Sequence, residues 1–210
     1  ETAIALCCHN PAAVAAGQPI PPLSERGLPR TDPTISDPAV LEQLRRAAQD
    51  PDAVVRHLAG YTLGNVGGPD AVEQLRVMLS DGNRMAQANA ANGLARNGSV
   101  DGVPTLIQLL TTSLKPFQFD PDSMLPKIEG GLDPSQKYEP TSEEIRQAEA
   151  KFHIEESQIA RNCLKAVEEL WPQIGADERT ELRSVIGQMK DEFFSPNVRQ
   201  QAGELLKSIE

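Results

Sequence analysis

Aromatic side chains and long apolar runs are scarce in this 210-residue chain. Phe, Trp and Tyr make up only 4% of the residues, so a folded core must consist mainly of Ala, Leu, Val and Ile, which suits closely packed helices. No run of eighteen apolar residues is present, which argues against a membrane-spanning helix. Hydrophobic residues still amount to 39% and charged residues to 24%, as in ordinary folded proteins.

Positive charge is also in short supply. The 20 Lys and Arg are outnumbered by 30 Asp and Glu, and the formal net charge is −10, whereas a nucleic-acid-binding surface needs clustered cations. The sequence therefore argues against a nucleic-acid partner. Residues 114–160 hold 5 basic and 10 acidic residues, half of the net charge. A solvated acidic surface is the simpler interpretation, and a docking site for a basic partner is the alternative.

Cysteine is rare and does not form a disulfide framework. The three cysteines are an odd number, and two of them, Cys7 and Cys8, are adjacent. This usage favours a reducing compartment, so we expect a cytoplasmic protein. Cys7-Cys8-His9 lacks the ligand spacing of a zinc site, and Cys163 lies on an apolar stripe, so we expect buried thiols and no metal or cofactor.

A repeat of 31 residues is the strongest pattern in the chain. The tetrapeptide EQLR occurs at 42–45 and again at 73–76. The same offset joins Leu63 to Leu94, Gly67 to Gly98, Val72 to Val103, Leu75 to Leu106, Leu79 to Leu110 and Asp50 to Asp81. A fixed period between 20 and 50 residues indicates a repeat architecture.

Each repeat has the pattern of two amphipathic helices joined by a tight turn. We expect Asp50 to cap the first helix, with Pro51 at its first position, and Gly67-Gly68 to end it. The two apolar stripes are Val55, Leu58, Ala59, Thr62, Leu63 and Val66, then Ala71, Val72, Leu75 and Leu79. Neither helix can bury its stripe alone, so the pattern predicts stacked neighbours.

The same pattern returns near the C-terminus. Ser195-Pro196 opens a predicted helix whose Val198, Arg199, Ala202 and Leu206 follow Val55, Arg56, Ala59 and Leu63 by 143 residues. Apolar stripes in 159–171 and 178–194 predict a further helix pair, and Thr141 to Glu144 has the form of a capping box. The chain starts without Met and ends on a first helix, so we expect either a piece of a longer protein or a processed chain whose ends dock on another surface.

The stretch DPDAVVRHLAGYTLGNVGGPDAVEQLRVMLSD is similar to the bacterial HEAT-like repeats first noted in phycobilisome lyases. The positions that match that family are Asp50, Pro51, Val55, Arg56, Ala59, Leu63, Gly64, Ala71, Val72, Leu75 and Leu79. The second unit departs from the pattern with Gly82 for Pro51 and Gln87 for Arg56. The resemblance implies a right-handed α-solenoid in which Arg56, Arg199, Asp50 and Asp81 join neighbouring repeats and second helices line the concave face.

This resemblance divides the chain into four parts. We expect a partial repeat with a Pro-rich segment at 1–36, HEAT-like repeats at 37–113, a Pro-rich acidic insertion at 114–140 and further HEAT-like repeats at 141–210. Prolines support the division, because 7 of the 17 fall in residues 9–38 and 5 in residues 114–140. Such density is incompatible with a helix interior and is typical of inserted or extended segments.

No catalytic motif stands out against this background. The chain lacks a P-loop, a GxGxxG loop and a nucleophile elbow, and none of its three histidines is followed by Glu, as in the iron-binding HEAT enzyme deoxyhypusine hydroxylase. We therefore expect a non-catalytic scaffold or adaptor that binds a protein partner along its concave face. The alternative is a bilin-lyase-like enzyme, or a chaperone, acting on a protein subunit.

The predicted partner-binding residues occupy second-helix positions outside the apolar stripe, which the 31-residue register places in successive rows. They are Glu42, Arg45, Arg46, Glu73, Gln74, Arg76, Val77, Thr105 and Gln108. The arginine column ends at Ile107, so these rows do not form a continuous basic stripe. Ordinary solvated helix faces are the alternative interpretation.

Overall fold

The computed structural model describes residues 35, 37–120 and 140–209, which form α-helices and connecting turns without any strand. The eight α-helices of this part of the chain are α1 Pro38–Ala47, α2 Ala53–Val66, α3 Pro69–Met78, α4 Arg84–Arg96, α5 Val103–Ser113, α6 Ser142–Leu170, α7 Ala176–Glu192 and α8 Pro196–Ser208. Single 3₁₀ turns, Val100–Gly102 and Trp171–Gln173, precede α5 and follow α6. The all-α prediction is confirmed.

The helices stack in two layers. In one layer α2 contacts α4, α4 contacts α6, and α6 contacts α8. In the other layer α1 contacts α3, and α5 contacts α7. Across the layers, α2 packs against α3 and α4 packs against α5, and α6 is followed directly by α7. The described helices therefore form an α-solenoid of helix pairs. The pairing of α2 with α4 confirms the 31-residue repeat.

The two cores of the solenoid meet at α4. Buried side chains of α2 to α4, with Leu63 and Leu75 among the largest, form one core together with Ala48 at the end of α1. Those of α4 to α8, with Leu164 and Phe193 among the largest, form the other. The helices on the two sides of residues 114–140 therefore share a core. Leu58 is an exception to the predicted stripe, because its side chain is 53% exposed.

The first helices begin two residues later than predicted. Asp50 does not cap α2; its carboxylate accepts a hydrogen bond from the amide of Asp52 at 2.8 Å, and Asp52 is the N-cap. One repeat later, Asp81 accepts from the amide of Asn83 at 2.7 Å, and Asn83 caps α4. Both aspartates thus close a turn ahead of the helix, because their carboxylates bond the chain two residues on. Pro51 lies in that turn, outside α2.

The turn from α2 to α3 depends on glycine. Gly67 and Gly68 have φ of 72° and 83°, in the left-handed region that other residues avoid, and they end α2 as predicted. Gly98, the repeat equivalent of Gly67, has φ of 70°. The 31-residue register therefore reproduces backbone conformation as well as side-chain type.

The C-terminal helices confirm most of their predicted starts. Thr141 caps α6, and its own amide donates a hydrogen bond to the Glu144 carboxylate at 2.8 Å, which completes the capping box. The apolar stripe at 159–171 belongs to this same 29-residue helix and is not a separate element. Ser195 is the N-cap residue of α8, as the match with the first repeats predicted.

Several predictions concern parts of the chain outside the described residues. Cys7, Cys8 and His9 lie there, as do most of the Pro-rich stretches at 9–38 and 114–140. In the described part, no helix is both long and apolar enough to cross a membrane.

Candidate functional site

Most of the predicted second-helix residues are on the surface, as the 31-residue register required. Glu42, Arg46, Glu73, Arg76, Val77 and Gln108 are exposed, while Arg45 and Thr105 are half-buried. Gln74 is a correction, because only 9% of it is exposed. It is covered because α3 contacts α1, α2 and α4, which bury more of its circumference than the apolar stripe alone indicates.

Two of the predicted binding arginines join one repeat to the next. Arg45 of α1 pairs with Asp70 of α3 at 3.3 Å, and Arg76 of α3 pairs with Asp101, just before α5, at 2.7 Å. Both members of the pair shift by 31 residues, so this is one interaction repeated along the solenoid. The Asp101 hydrogen bond raises the pKa of Arg76, and hydrogen bonds from Ser99 and then Arg76 lower the pKa of Asp101.

A second set of contacts involves the first helices, and one of its pairs joins neighbouring repeats. Arg56 donates two hydrogen bonds to the carboxylate of Asp81, at 2.8 and 3.0 Å, and another to the carbonyl of Asp50 at 2.9 Å. At the equivalent positions Gln87 donates to the carbonyl of Asp81 at 2.6 Å, and Arg199 to that of Phe193 at 2.6 Å. The structural role expected for Arg56 and Asp81 is confirmed. The expectation for Arg199 is corrected, because it bonds the carbonyls of Phe193 and Phe194 just ahead of its own helix and not an acidic residue of a neighbouring repeat.

A surface depression lies elsewhere, between α6 and α8. It is a groove of about 730 Å³ that ten residues line, seven from α6, two from the turn before α8 and one from α8 itself. Both helices belong to the first-helix layer, whereas the predicted binding residues belong to α1, α3 and α5. The structure therefore does not bring the predicted residues into this groove.

Aromatic side chains collect at one end of the groove. The ring of His153 stacks on Phe194 with centroids 4.2 Å apart, and Phe194 in turn stacks on Phe193 at 4.3 Å. On the other side, Phe152 lies 5.8 Å from His153 and 5.4 Å from Phe117. Four of the five phenylalanines of the chain thus belong to one cluster, although aromatics make up only 4% of its residues.

This aromatic cluster extends from the core to the surface. Phe193 is buried at 1% exposure, whereas Phe194 is 36% exposed and the neighbouring Ile154 is 69% exposed. His153, Ile154 and Phe194 all line the groove. An exposed apolar group that is anchored on buried rings provides a rigid contact surface, because its position is fixed by the packing behind it.

A polar cluster between α4, α5 and α6 is enclosed instead of accessible. Glu156, whose side chain is 4% exposed, pairs with Arg84 and accepts a hydrogen bond from the Ser113 hydroxyl at 2.6 Å. Ser113 is itself buried, and none of the three residues lines the groove. The cluster neutralises a buried carboxylate and ties three helices together.

The described residues provide little for nucleophilic or metal chemistry. Cys163 is buried and free, as predicted, and burial raises the pKa of its thiol to about 12, so it stays protonated near neutral pH. Within residues 37–120 and 140–209, no group of three His, Cys, Asp or Glu is placed to hold a metal ion.

Sequence reasoning missed the groove because its walls are about 40 residues apart in the chain. Gln201 of α8, for example, donates to the carbonyl of Arg161 of α6 at 3.3 Å. One signal was available: the pairs Phe152-His153 and Phe193-Phe194 are conspicuous in a chain with so few aromatics.

Comparison with known proteins supports the repeat assignment over part of the chain. A family model described as HEAT repeats matches residues 31–84, a range that contains α1, α2 and α3. A search of curated proteins gave no match. This match supports HEAT-like repeats over residues 31–84, and the two-layered stack of helix pairs continues beyond them.

Proposed function

We propose that this chain is a non-catalytic scaffold that binds a protein partner, and that the groove between α6 and α8 receives a segment of that partner. The observation behind the proposal is the exposed end of the aromatic cluster. Phe194 and Ile154 offer apolar surface to solvent beside a concave wall. Aromatic side chains are enriched in protein interfaces and often provide most of their binding energy.

The frame around the groove suits such a role. The side of α6 opposite the groove packs into the α4–α8 core through residues such as Ile159 and Leu164, and α8 packs there through Val198 and Ala202. Both walls are therefore fixed before a partner arrives, so binding orders few groups and loses little conformational entropy.

The bilin-lyase alternative gains no support from this groove. Seven of its ten lining residues are Ser, Asn, Gln, Arg or Lys, whereas a pocket for a large conjugated ligand is lined mainly by apolar and aromatic side chains. We also place the protein in the cytoplasm, an assignment supported by the free thiol of Cys163 and the odd number of cysteines.

Partner binding at the second-helix surface remains a separate prediction. It now concerns only those predicted residues that do not join neighbouring repeats. Arg45 and Arg76 already bind acidic residues of the next repeat, so reversing their charge would disturb the solenoid together with any partner contact. Among the remaining positions, Val77 is 61% exposed, and the register aligns it with Arg46 and Gln108.

A photo-crosslinking amino acid placed in the groove tests the proposal. We expect position 158 of α6 to give a crosslinked protein in an extract of the source cells, and position 181, on the exposed face of α7, to give none. The crosslinked protein is then identified, purified and titrated against the wild-type chain and Ile154→Asp, whose side chain lies in the groove and is mostly solvated. The variant should bind about tenfold more weakly, since it places a charge on the apolar contact.

Two results would contradict this proposal. If position 158 yields no more product than position 181, the groove is not a binding site. If a crosslinker at position 77 gives the product instead, the partner binds the second-helix surface and not the groove.

A further inference from the structure

We infer that the groove between α6 and α8 recognises an acidic, extended segment of the partner that also has one apolar side chain. This inference rests on the protein-binding function proposed above and specifies the chemistry of the partner. It depends on the chemistry of the two ends of the groove, because one end is apolar and the other is positively charged.

Four side chains of α6 lie in a row along the groove. Ile154, Gln158, Arg161 and Lys165 follow at intervals of four, three and four residues, so they share one side of the helix, and all four line the groove. At a rise of 1.5 Å per residue, Arg161 is about 10 Å and Lys165 about 16 Å from Ile154 along the helix axis.

The apolar end of the row provides an anchor point. Ile154 lies beside the stacked rings of His153 and Phe194, which have 4.2 Å between their centroids. A single aliphatic or aromatic side chain of a partner would remove the exposed surface of Ile154 and Phe194 from water, which is favourable in proportion to the apolar area covered.

The other end of the row has cations without strong internal partners. Within residues 37–120 and 140–209, Arg161 forms no ion pair, and the only one of Lys165 is a long 3.9 Å contact with Glu169. None of the ten described residues that line the groove has a carboxylate. In a chain with a net charge of −10, this lining is a local reversal of sign, and it is complementary to Asp, Glu or a C-terminal carboxylate.

The α8 wall has one acidic side chain beside the groove, and it does not line the groove itself. Glu204 lies in a smaller depression that adjoins the groove and shares Arg161 and Gln201 with it. Its carboxylate accepts a hydrogen bond from Gln200 of the same helix at 2.8 Å.

The number of cations in the groove argues against a nucleic acid as the ligand. Nucleic-acid binding depends on many phosphate contacts, and two cations are too few for it. An acidic peptide is therefore the better match.

The dimensions of the row determine the spacing in the partner. An extended chain advances about 3.3 Å per residue, so a span of 10 to 16 Å corresponds to about three to five residues. The expected motif is therefore one apolar residue separated by about three to five positions from two or more acidic residues.

Fluorescence polarisation with short synthetic peptides tests this inference. The probe is a fluorescein-labelled eight-residue peptide with one leucine and, three to five positions later, three glutamates. One comparison peptide has lysines for the glutamates and another has alanine for the leucine. We expect the probe to bind about tenfold more tightly than either comparison peptide, because each one removes one end of the complementary pattern.

Variants of the protein assign the binding to the groove. The double variant Arg161→Glu and Lys165→Glu should weaken binding of the probe about tenfold or more, and Ile154→Asp about tenfold. Arg146→Glu is the charge control, since Arg146 lies on the same helix but outside the groove. Val54→Asp is the apolar control, since Val54 is 54% exposed in the first turn of α2. Both controls should change the affinity less than twofold.

Four results would overturn the inference, and they separate it from the proposed function. If the lysine peptide binds as tightly as the probe, the groove does not select acidic residues. If the double variant binds the probe as tightly as the wild type does, Arg161 and Lys165 do not recognise the glutamates. A crosslinked partner that touches position 158 through a basic or neutral segment leaves the protein-binding function intact but contradicts the acidic segment. Concentration-dependent dimers in light scattering that Ile154→Asp abolishes would assign the groove to a second copy of this chain.

Discussion

Single charged side chains hold successive repeats together, and their surroundings determine how much they contribute. Arg56 and Asp81 are largely covered, with side-chain exposures of 19% and 8%, whereas Arg76 and Asp101 are both 46% exposed. Solvent screens the exposed pair, so it contributes little to stability. The covered pair forms two parallel hydrogen bonds in a poorly solvated site and contributes more.

Asp81→Asn is expected to lower the free energy of unfolding by about 1–2 kcal/mol at neutral pH, because it removes the charge that Arg56 binds. Its matched control is Asp101→Asn, the exposed member of the second-helix series, which should lower it by less than about 0.5 kcal/mol. Urea denaturation followed by circular dichroism measures both. Equal losses in the two variants would contradict the importance of burial.

The same aspartate should make stability depend on pH in the acid range. Arg56 hydrogen bonding lowers the pKa of Asp81 below its ordinary value of 3.8. A depressed folded-state pKa stabilises the fold above the unfolded pKa and loses that effect as the pH falls through the folded pKa. The difference in unfolding free energy between wild type and Asp81→Asn should therefore be constant above about pH 5 and shrink below pH 3.8. A difference that does not change between pH 6 and pH 3 would exclude this linkage.

At the level of whole helices, the close approach of α2 and α4 fixes the distance between repeats. A Cβ atom on Gly93 would lie 2.9 Å from the Cα of Gly64 and 3.0 Å from both methyl groups of Leu75. Two side-chain amides bridge the same helices, since Asn97 donates to the carbonyl of Gly64 at 3.1 Å and Asn89 to that of His57 at 2.9 Å. Any separation of the helices would strain these bonds as well.

Gly93→Ala is expected to destabilise the protein by about 1–3 kcal/mol, because the overpacking cost exceeds the gain in helix propensity. Gly187→Ala in α7 is the control, since a Cβ there would meet nothing within 4 Å. That substitution should stabilise the protein by about 0.5–1 kcal/mol. Thermal melts of the two variants measure both effects, and a stabilised Gly93→Ala would show that the helices can move apart freely.

The helices could be predicted from the sequence far better than the groove between them. Spacing and register are local signals, so the pairing of α2 with α4 and the capping box at Thr141 were predictable. The capping by Asp52 was not, since Asp50-Pro51 offers an equally good local start and only the turn geometry decides. The groove was not predictable either, because its shape depends on the contact of α6 with α8.

At the scale of the whole molecule, each core should be stabilised mainly by the helices that form it, so stability should differ along the solenoid. Among the described helices, only α4 contributes buried residues to both the α1–α4 core and the α4–α8 core, and it offers Ala86, Ala90 and Leu94 to one and Ala88, Ala91 and Ala95 to the other. The partly buried Leu79, at the end of α3, packs against both cores. In such a stack each pair of helices is stabilised mainly by its neighbours, so damage in one core reaches the other mainly through this alanine-rich helix and Leu79.

Two matched core substitutions test this distribution. Leu63 of α2 and Leu182 of α7 are both buried, one in each core, and each change to Ala is expected to cost about 2–5 kcal/mol locally. Hydrogen exchange of the backbone amides should accelerate in α2 and α3 for Leu63→Ala, while α6 to α8 keep their protection, and the reverse should hold for Leu182→Ala. Uniform acceleration in both variants would mean that the solenoid unfolds as one cooperative unit. A local response to Leu63→Ala would mean that the groove between α6 and α8 keeps its shape when the first repeats open.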